Sequence, residues 1–127
     1  MTQEEKELLL KDLCARLPYH VRVKVWLKDG TTEEGFYDFE HNYEDVMKDF
    51  FFYNKLNDLK PYLRPMSSMT EEEVDEFTQF DIYDNGEFIM PNHQAIDWLN
   101  AHHFDYRGLI EKGLAIEASK GMYKMEE

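Results

Sequence analysis

Histidine and carboxylate side chains gather in the last third of the sequence, where their types and spacing could hold a metal ion. His93 and Asp97 are four residues apart, which places both on one face of a helix, and His102 follows closely. Neutral imidazole and carboxylate groups are suitable ligands for zinc or another divalent ion. A small metal-dependent hydrolase that uses the segment from His93 to Asp105 is therefore one hypothesis. Structural or surface histidines are the favoured alternative, so no metal or other cofactor is predicted.

Acidic side chains form a second group of chemical interest, between positions 71 and 87. Carboxylates at this density could contact a basic protein or imitate a phosphate strand, and they also suit the solvated start of a helix. The run lacks the alternating oxygen ligands and central glycine of an EF-hand loop. The candidate partner-binding residues in this region are Glu71, Glu72, Glu73, Asp75, Glu76, Asp81, Asp84 and Glu87.

The net charge supports a basic partner. The 127 residues include 27 acidic and 14 basic side chains, for a net charge of −13, and most of the excess acid lies between residues 31 and 90. The negative electrostatic potential of such a surface repels phosphate backbones, so direct nucleic-acid binding is not expected. A protein partner with a basic surface is expected instead. Solubility alone is the favoured explanation of the same charge, and a partner-directed acidic face is the alternative.

Motifs typical of enzymes are missing from the sequence, which contains no GxSxG, P-loop, dinucleotide-binding or HExxH pattern. A non-enzymatic role is therefore favoured. Arg64, between two prolines, and Arg107 lie near apolar segments, and each is expected to pair with a buried acid, with substrate binding as the alternative. The apolar runs are too short for a membrane span and the N-terminus does not read as a secretory signal, so a cytoplasmic protein is predicted.

The elements that must position these residues begin with an amphipathic helix over about 3–17. Thr2 and Glu5 have the spacing of a capping box, and the leucines recur on one side while Asp12 and Arg16 fall on the polar side. Alternating valines then predict a strand over 21–28. Trp26 lies on its polar side and is a candidate partner-binding residue, because an exposed tryptophan beside cations is typical of contact surfaces. A sheet packed on both faces would bury it instead.

A hairpin is predicted next, because Asp29-Gly30 suits a two-residue turn. That turn would place Glu34 opposite Val25, so we expect a bulge at Gly35 to turn Tyr37 and Phe39 inward. A third strand near 47–54 is favoured over helical turns at 43–47 and 56–59. The other predicted elements are an extended connection over 61–65, an acidic helix after Ser68 or Thr70, a second hairpin from Phe77 to Met90, a helix from Asn92, a short helix near 105–112 and a fraying tail over 118–127.

Together these elements predict a single α+β domain over residues 1–127. It has an N-terminal helix, an antiparallel sheet of about four or five strands and C-terminal helices packed on that sheet. A length near that of one typical domain argues against two independent cores.

Three segments of the chain, residues 4–19, 60–70 and 97–115, resemble a family of small uncharacterised proteins of gut anaerobic bacteria and their phages and mobile elements. The resemblance does not extend to residues 28–59 or 77–92. It implies a genomic setting and no catalytic residues. The favoured function is therefore a non-enzymatic accessory protein of a phage or mobile element that binds a macromolecule. Inhibition of a host-defence protein through an acidic surface is the sharper form of that hypothesis.

Overall fold

The helices and strands of the protein come from a computed structural model of the chain. The described residues are 1–37, 43–80, 83–84, 87–88 and 93–123. The helices are α1 (Gln3–Arg16), α2 (Tyr43–Phe51), α3 (Glu71–Thr78) and α4 (His93–Ala101). The strands are β1 (Val21–Leu27), β2 (Thr32–Tyr37), β3 (Leu56–Leu63), β4 (Tyr83–Asp84), β5 (Glu87–Phe88) and β6 (Ile116–Glu117).

One mixed sheet with the order β2-β1-β3-β6 carries the main core. β1 pairs antiparallel with both β2 and β3, whereas β6 runs parallel to β3. The predicted α+β domain with an N-terminal helix and a mostly antiparallel sheet is confirmed, and β6 adds one parallel strand. A parallel partner requires a long crossover, and the chain between β3 and β6 supplies it with α3, β4, β5 and α4.

α1 forms as its sequence predicts. Thr2 Oγ1 accepts from the Glu5 amide at 3.1 Å, and the Glu5 carboxylate accepts from the Thr2 amide at 2.8 Å, which completes the capping box. Leu9 and Leu13 are fully buried in one cluster with Val21 and other valines of β1. α1 therefore covers one face of the sheet.

The turn between β1 and β2 differs from the predicted two-residue loop. Val25 pairs with Glu33 rather than Glu34, and the Leu27 amide donates to the Thr31 carbonyl at 2.8 Å, so three residues form the loop. The ladder passes Gly35 without a break, so the predicted bulge there is wrong. The extra loop residue shifts the pairing of β2 with β1 by one residue instead, so that Tyr37 lies opposite Val21. Phe39 lies outside the described residues.

Gly30 permits this longer loop, because its φ of +90° is a conformation that other residues adopt only with strain. An added Cβ would meet no atom within 4 Å, so the cost of a side chain is purely conformational. We expect Gly30→Ala to lower the free energy of unfolding by about 1 kcal/mol in urea titrations. Gly30→Asn should cost less, since asparagine tolerates this region. Equal stability of the alanine variant and the native chain would contradict the assigned turn.

The segment after β2 is where the structure differs most from the sequence prediction. The third strand predicted near 47–54 is wrong, because residues 43–51 form α2 and the strand follows at 56–63. Met47 and Phe50 recur at helical spacing and are buried, and Lys48 pairs with Glu44 one turn earlier at 2.7 Å. Of the aromatic residues that suggested a strand, Phe50 and Phe51 pack against the core from α2, whereas Phe52 and Tyr53 follow the helix and are exposed.

The predicted helix near 105–112 is also wrong, since this segment consists of turns. The Asp105 carboxylate accepts from the amides of Leu109 and Ile110 at 2.8 and 2.9 Å, which places a side chain where a helix would use a backbone carbonyl. Leu109 and Leu114 enter the main core from these turns.

A second, smaller core lies where α3 and α4 meet. Phe77 of α3 and Ala95 and Leu99 of α4 are buried with Phe104. The second hairpin is present as a short ladder, Tyr83 to Phe88 and Asp84 to Glu87, but it does not start at Phe77, which is helical. Its turn residues 85–86 and the Asn92 cap lie outside the described residues.

The chain after β6 continues along the sheet as far as residue 123. The Ala118 amide donates to the Leu63 carbonyl at 2.8 Å. The Tyr123 hydroxyl accepts from the Arg22 amide at 2.8 Å and donates to the Tyr62 carbonyl at 2.6 Å, so it bridges β1 and β3. Part of the tail that the sequence analysis expected to fray is thus hydrogen-bonded to the sheet, and residues 124–127 lie outside the described residues.

Candidate functional site

The predicted acidic residues divide into two sets on α3. We call the exposed set the acidic face of α3. Helical spacing places its members within about 140° of one another around the helix axis, and on this short helix no basic side chain interrupts them. These residues are Glu71, Glu72, Asp75 and Glu76, all of which are exposed.

Glu73 belongs to the other set, because it points inward and pairs with Arg64. The two guanidinium nitrogens donate to its two carboxylate oxygens at 2.7 and 2.8 Å. This bidentate bond, together with a bond from the Thr70 amide, lowers the pKa of Glu73 to about 2. Arg64 thus pairs with an acid as predicted, although Glu73 is partly buried rather than buried.

Arg64 connects this ion pair to the interior. Its guanidinium carbon lies 4.2 Å from the centroid of the Phe104 ring, and its backbone exchanges hydrogen bonds with His103 and Asp105, each at 2.8 Å. α3 is therefore anchored to the chain that follows α4, and its acidic face is held in one orientation.

Glu76 makes one contact within the molecule while it remains exposed. Its carboxylate accepts from the Trp98 indole nitrogen at 3.1 Å. The Trp98 ring stacks on Phe77 and Phe104 with centroid distances of 5.5 and 5.7 Å. Substitution of Glu76 would therefore disturb the packing of α3 on α4, and a test of the acidic face should leave it intact.

The remaining predicted acids lie in or beside the second hairpin. Asp84 and Glu87 are cross-strand partners in the β4–β5 ladder. Asp81 lies outside the described residues.

Trp26 is partly buried on β1, on the face of the sheet opposite the main core. The ammonium groups of Lys24 and Lys60 lie 5.3 and 5.7 Å from its ring, which provides two cation–π contacts. The tryptophan is thus held between two lysines of neighbouring strands. This face of the sheet also carries Glu34 opposite Lys24 and Asp58 opposite Trp26, so it is mixed in charge, unlike the acidic face of α3.

The histidine-rich segment does not assemble a metal centre in the described part of the chain. His93 and Asp97 are exposed on α4, while His102 Nδ1 lies 2.9 Å from the Trp98 carbonyl and its ring stacks on the Trp98 ring at 4.1 Å. Both carboxylate oxygens of Asp105 accept backbone amides. Among the described residues, no three histidine, cysteine or acidic side chains form a group that could hold an ion.

A buried ion network near the start of the chain was missed by the sequence analysis. Asp12 and Arg16 are both fully buried, with Arg16 Nε donating to Asp12 Oδ2 at 2.8 Å. Arg16 also donates to the Phe104 carbonyl at 2.6 Å. Arg107 donates to Asp12 at 3.3 Å, which confirms that this arginine pairs with a buried acid. The network joins α1 to the segment after α4, and Asp12 within it has no exposed surface.

His103 was assigned no separate role by the sequence analysis, yet it occupies a buried position. Its ring stacks on Tyr123 with centroids 3.8 Å apart, and only 7% of its surface is exposed. Burial, and then the nearby Arg16, lower the pKa of His103 to about 3, so the ring is neutral near pH 7. The left-handed φ of +62° at this residue carries no signal in the sequence.

No family model, curated protein or solved structure matches the chain. The function must therefore be inferred from the geometry of the described residues. One further observation concerns membranes: the described helices do not combine the length and apolarity that crossing a bilayer requires.

Proposed function

We propose that the protein is a non-enzymatic binding protein that uses the acidic face of α3 to bind a basic surface on a macromolecular partner. The observation that carries the proposal is the arrangement of four exposed carboxylates on one side of a helix whose orientation is fixed. Preorganised charge steers association with an oppositely charged surface and selects against partners of like charge.

The way α3 is held supports this role over simple solubility. The Thr70–Glu73 capping box fixes the start of the helix, and the Arg64–Glu73 pair fixes its rotation. The bond from Trp98 to Glu76 fixes its position against α4. Solubility requires only charge, whereas recognition requires charge at defined positions.

The resemblance of residues 4–19, 60–70 and 97–115 supplies the proposed setting. In that setting the protein is an accessory factor of a phage or mobile element, acts in the cytoplasm and inhibits a basic host-defence protein. The three segments meet in one place, since Arg16 bonds to Phe104 and Arg64 bonds to His103. They therefore form the framework that supports α3, rather than the acidic face itself.

Neutralising the acidic face should weaken partner binding. We expect the triple variant Glu71→Gln, Glu72→Gln, Asp75→Asn to bind its partner about tenfold more weakly at low salt. The partner would be captured from a lysate of a gut anaerobe with the tagged native protein, identified by mass spectrometry, purified and titrated by calorimetry. Affinity of the native protein should fall as salt rises, because the contact is electrostatic.

A matched control separates the acidic face from net charge. The variant Glu7→Gln, Glu33→Gln, Glu111→Gln removes the same number of negative charges from exposed positions on other elements. It should bind as the native protein does. Equal weakening in both triple variants, or binding that is indifferent to salt, would exclude the acidic face as the contact surface.

A further inference from the structure

The outer edge of β2 is unpaired in the described part of the sheet. β2 is the terminal strand of the order β2-β1-β3-β6, and among the described strands only β1 pairs with it. The Leu27 amide donates to the Thr31 carbonyl, so these two residues form a hydrogen-bonded pair at the start of the ladder. Because such pairs alternate along an antiparallel ladder, the backbone groups of Glu33 and Gly35 face β1. The backbone groups that face away from the sheet are those of Thr32, Glu34 and Phe36.

These outward amides and carbonyls are open to a partner. No hydrogen bond joins them to another described residue. The side chains on both sides of the strand are exposed at Thr32, Glu33, Glu34 and Phe36. A row of unpaired backbone groups on an exposed strand is a template for one more strand.

The charges on β2 restrict which strand can pair there. The charge of Glu34 is balanced, because its carboxylate accepts from the Tyr62 hydroxyl and lies 3.5 Å from Arg22 Nη2. Glu33 is exposed and has no ion-pair or hydrogen-bond partner among the described residues. Residues directly opposed across two strands have Cβ atoms about 4.5–5.5 Å apart, so a lysine or arginine opposite Glu33 would be attracted. A second copy of this chain, with its net charge of −13, would be repelled.

Phe36 provides an apolar contact near the other end of the same edge. Its backbone faces outward, its side chain is 45% exposed, and its ring meets Tyr123 edge-on with centroids 6.3 Å apart. The ring is also one wall of a pocket of about 340 Å³, which Pro18 and Ala101 line as well. An apolar side chain opposite Phe36 would lose contact with water against this surface.

We infer that β2 binds an extended basic segment of a partner protein as an added antiparallel strand, with an apolar residue opposite Phe36 and a lysine or arginine opposite Glu33. In this mode of recognition the main-chain hydrogen bonds provide affinity and the side chains provide selectivity. The antiparallel direction is favoured because its pairs are the more stable per residue. The inference does not rest on the contact proposed for α3, because no residue of β2 belongs to the acidic face.

Solvent-exchange NMR of the protein with a synthetic peptide, acetyl-Ser-Ile-Thr-Thr-Lys-Thr-amide, tests the inference. In the antiparallel direction its isoleucine lies opposite Phe36 and its lysine opposite Glu33. We expect saturable binding that slows exchange of the outward amides of Thr32, Glu34 and Phe36. The amides of Glu33 and Gly35, already bonded to β1, should change little. No saturable binding, or equal slowing of all these amides, would overturn the inference.

N-methylated peptides separate strand addition from simple charge attraction. Methylation of the peptide amide opposite Glu34 removes a donor that faces β2, so it should abolish binding. Methylation of the lysine amide opposite Glu33 affects a group that faces solvent, so it should leave binding intact. Equal affinities of the two methylated peptides would show that no ladder forms.

Variants of β2 provide the complementary test. Thr32→Pro removes one outward amide and leaves the ladder with β1 intact, since proline is tolerated on strand edges. We expect it to lower peptide affinity about tenfold, whereas Thr32→Val should bind as the native protein does. Glu33→Gln should weaken binding of the lysine peptide but not of the same peptide with glutamine in place of lysine.

Two outcomes would assign the edge to another occupant. Equal affinity for a peptide that carries glutamate in place of lysine would exclude a basic partner. Dimerisation in sedimentation velocity that Thr32→Pro abolishes would show that a second copy of the chain takes this edge.

Discussion

Replacing Asp12 with alanine should lower the free energy of unfolding by about 3–5 kcal/mol. Asp12 accepts hydrogen bonds from Arg16 at 2.8 and 3.1 Å and from Arg107 at 3.3 Å, and neither Asp12 nor Arg16 has any exposed surface. Without the carboxylate, the Arg16 cation stays buried and keeps, among the described residues, only the Phe104 carbonyl as a hydrogen-bond partner. An uncompensated buried charge is among the most destabilising changes a core can receive.

Thermal and urea unfolding of Asp12→Ala would measure this effect, with an expected fall in Tm of about 10–20 °C. Glu7→Ala, an exposed position on the same helix, should change stability little. The double variant Asp12→Ala, Arg16→Met should recover part of the loss, because it removes the orphaned cation. A loss below about 1 kcal/mol in Asp12→Ala would show that the network is less important than its burial indicates.

The sequence predicted α1 but not the environment of its polar side. Helical periodicity assigned Asp12 and Arg16 to solvent, because charged residues opposite a leucine stripe are usually solvated. They are buried because the segment after α4, some ninety positions later, packs over them through the Phe104 carbonyl and Arg107. Local patterns contain no information about such distant contacts. For the same reason, the sequence indicated that Arg107 pairs with a buried acid but not which acid.

Between residues 47 and 63, the aromatic residues and Pro61 led to a wrong prediction of secondary structure. Consecutive aromatic residues suggested a strand, yet Phe50 and Phe51 pack against the core from α2, while Phe52 and Tyr53 are exposed beyond its end. Pro61 suggested a connection, but it lies within β3 opposite Val23. Proline is normally confined to strand edges and bulges. Pairing with β1 on one side, and burial of Leu59 and Leu63, outweigh the local preference.

The sequence predicted where the acidic helix begins but not that Glu73 points inward. The acids that follow Thr70 do start a capped helix, and most are exposed. Glu73 differs because the capping box and Arg64 both require a carboxylate at that position. A helical count places Glu73 on the side opposite Glu71, but only the tertiary contact with Arg64 shows that this side is inward.

Acidification should remove the stability that the Arg64–Glu73 pair provides. The pKa of Glu73 is about 2 in the folded protein against an ordinary value of 4.5, so the folded state favours the ionised form. A lowered pKa contributes stability that is fully present above about pH 5 and is lost as pH falls toward 2. With allowance for solvent screening of a partly exposed pair, this contribution is about 2 kcal/mol.

Urea unfolding of the native protein and Glu73→Gln at pH 7, 4.5 and 3 would measure this contribution. Glutamine retains one acceptor for the Thr70 amide, so the helix cap is partly preserved. The variant should be less stable than the native protein at pH 7, and the difference should shrink as pH falls. Glu72→Gln, one position earlier and exposed, should keep the native dependence on pH. A Glu73→Gln curve that runs parallel to the native curve would show that Arg64 does not stabilise the Glu73 carboxylate, and α3 would then lack the anchor on which its fixed acidic face depends.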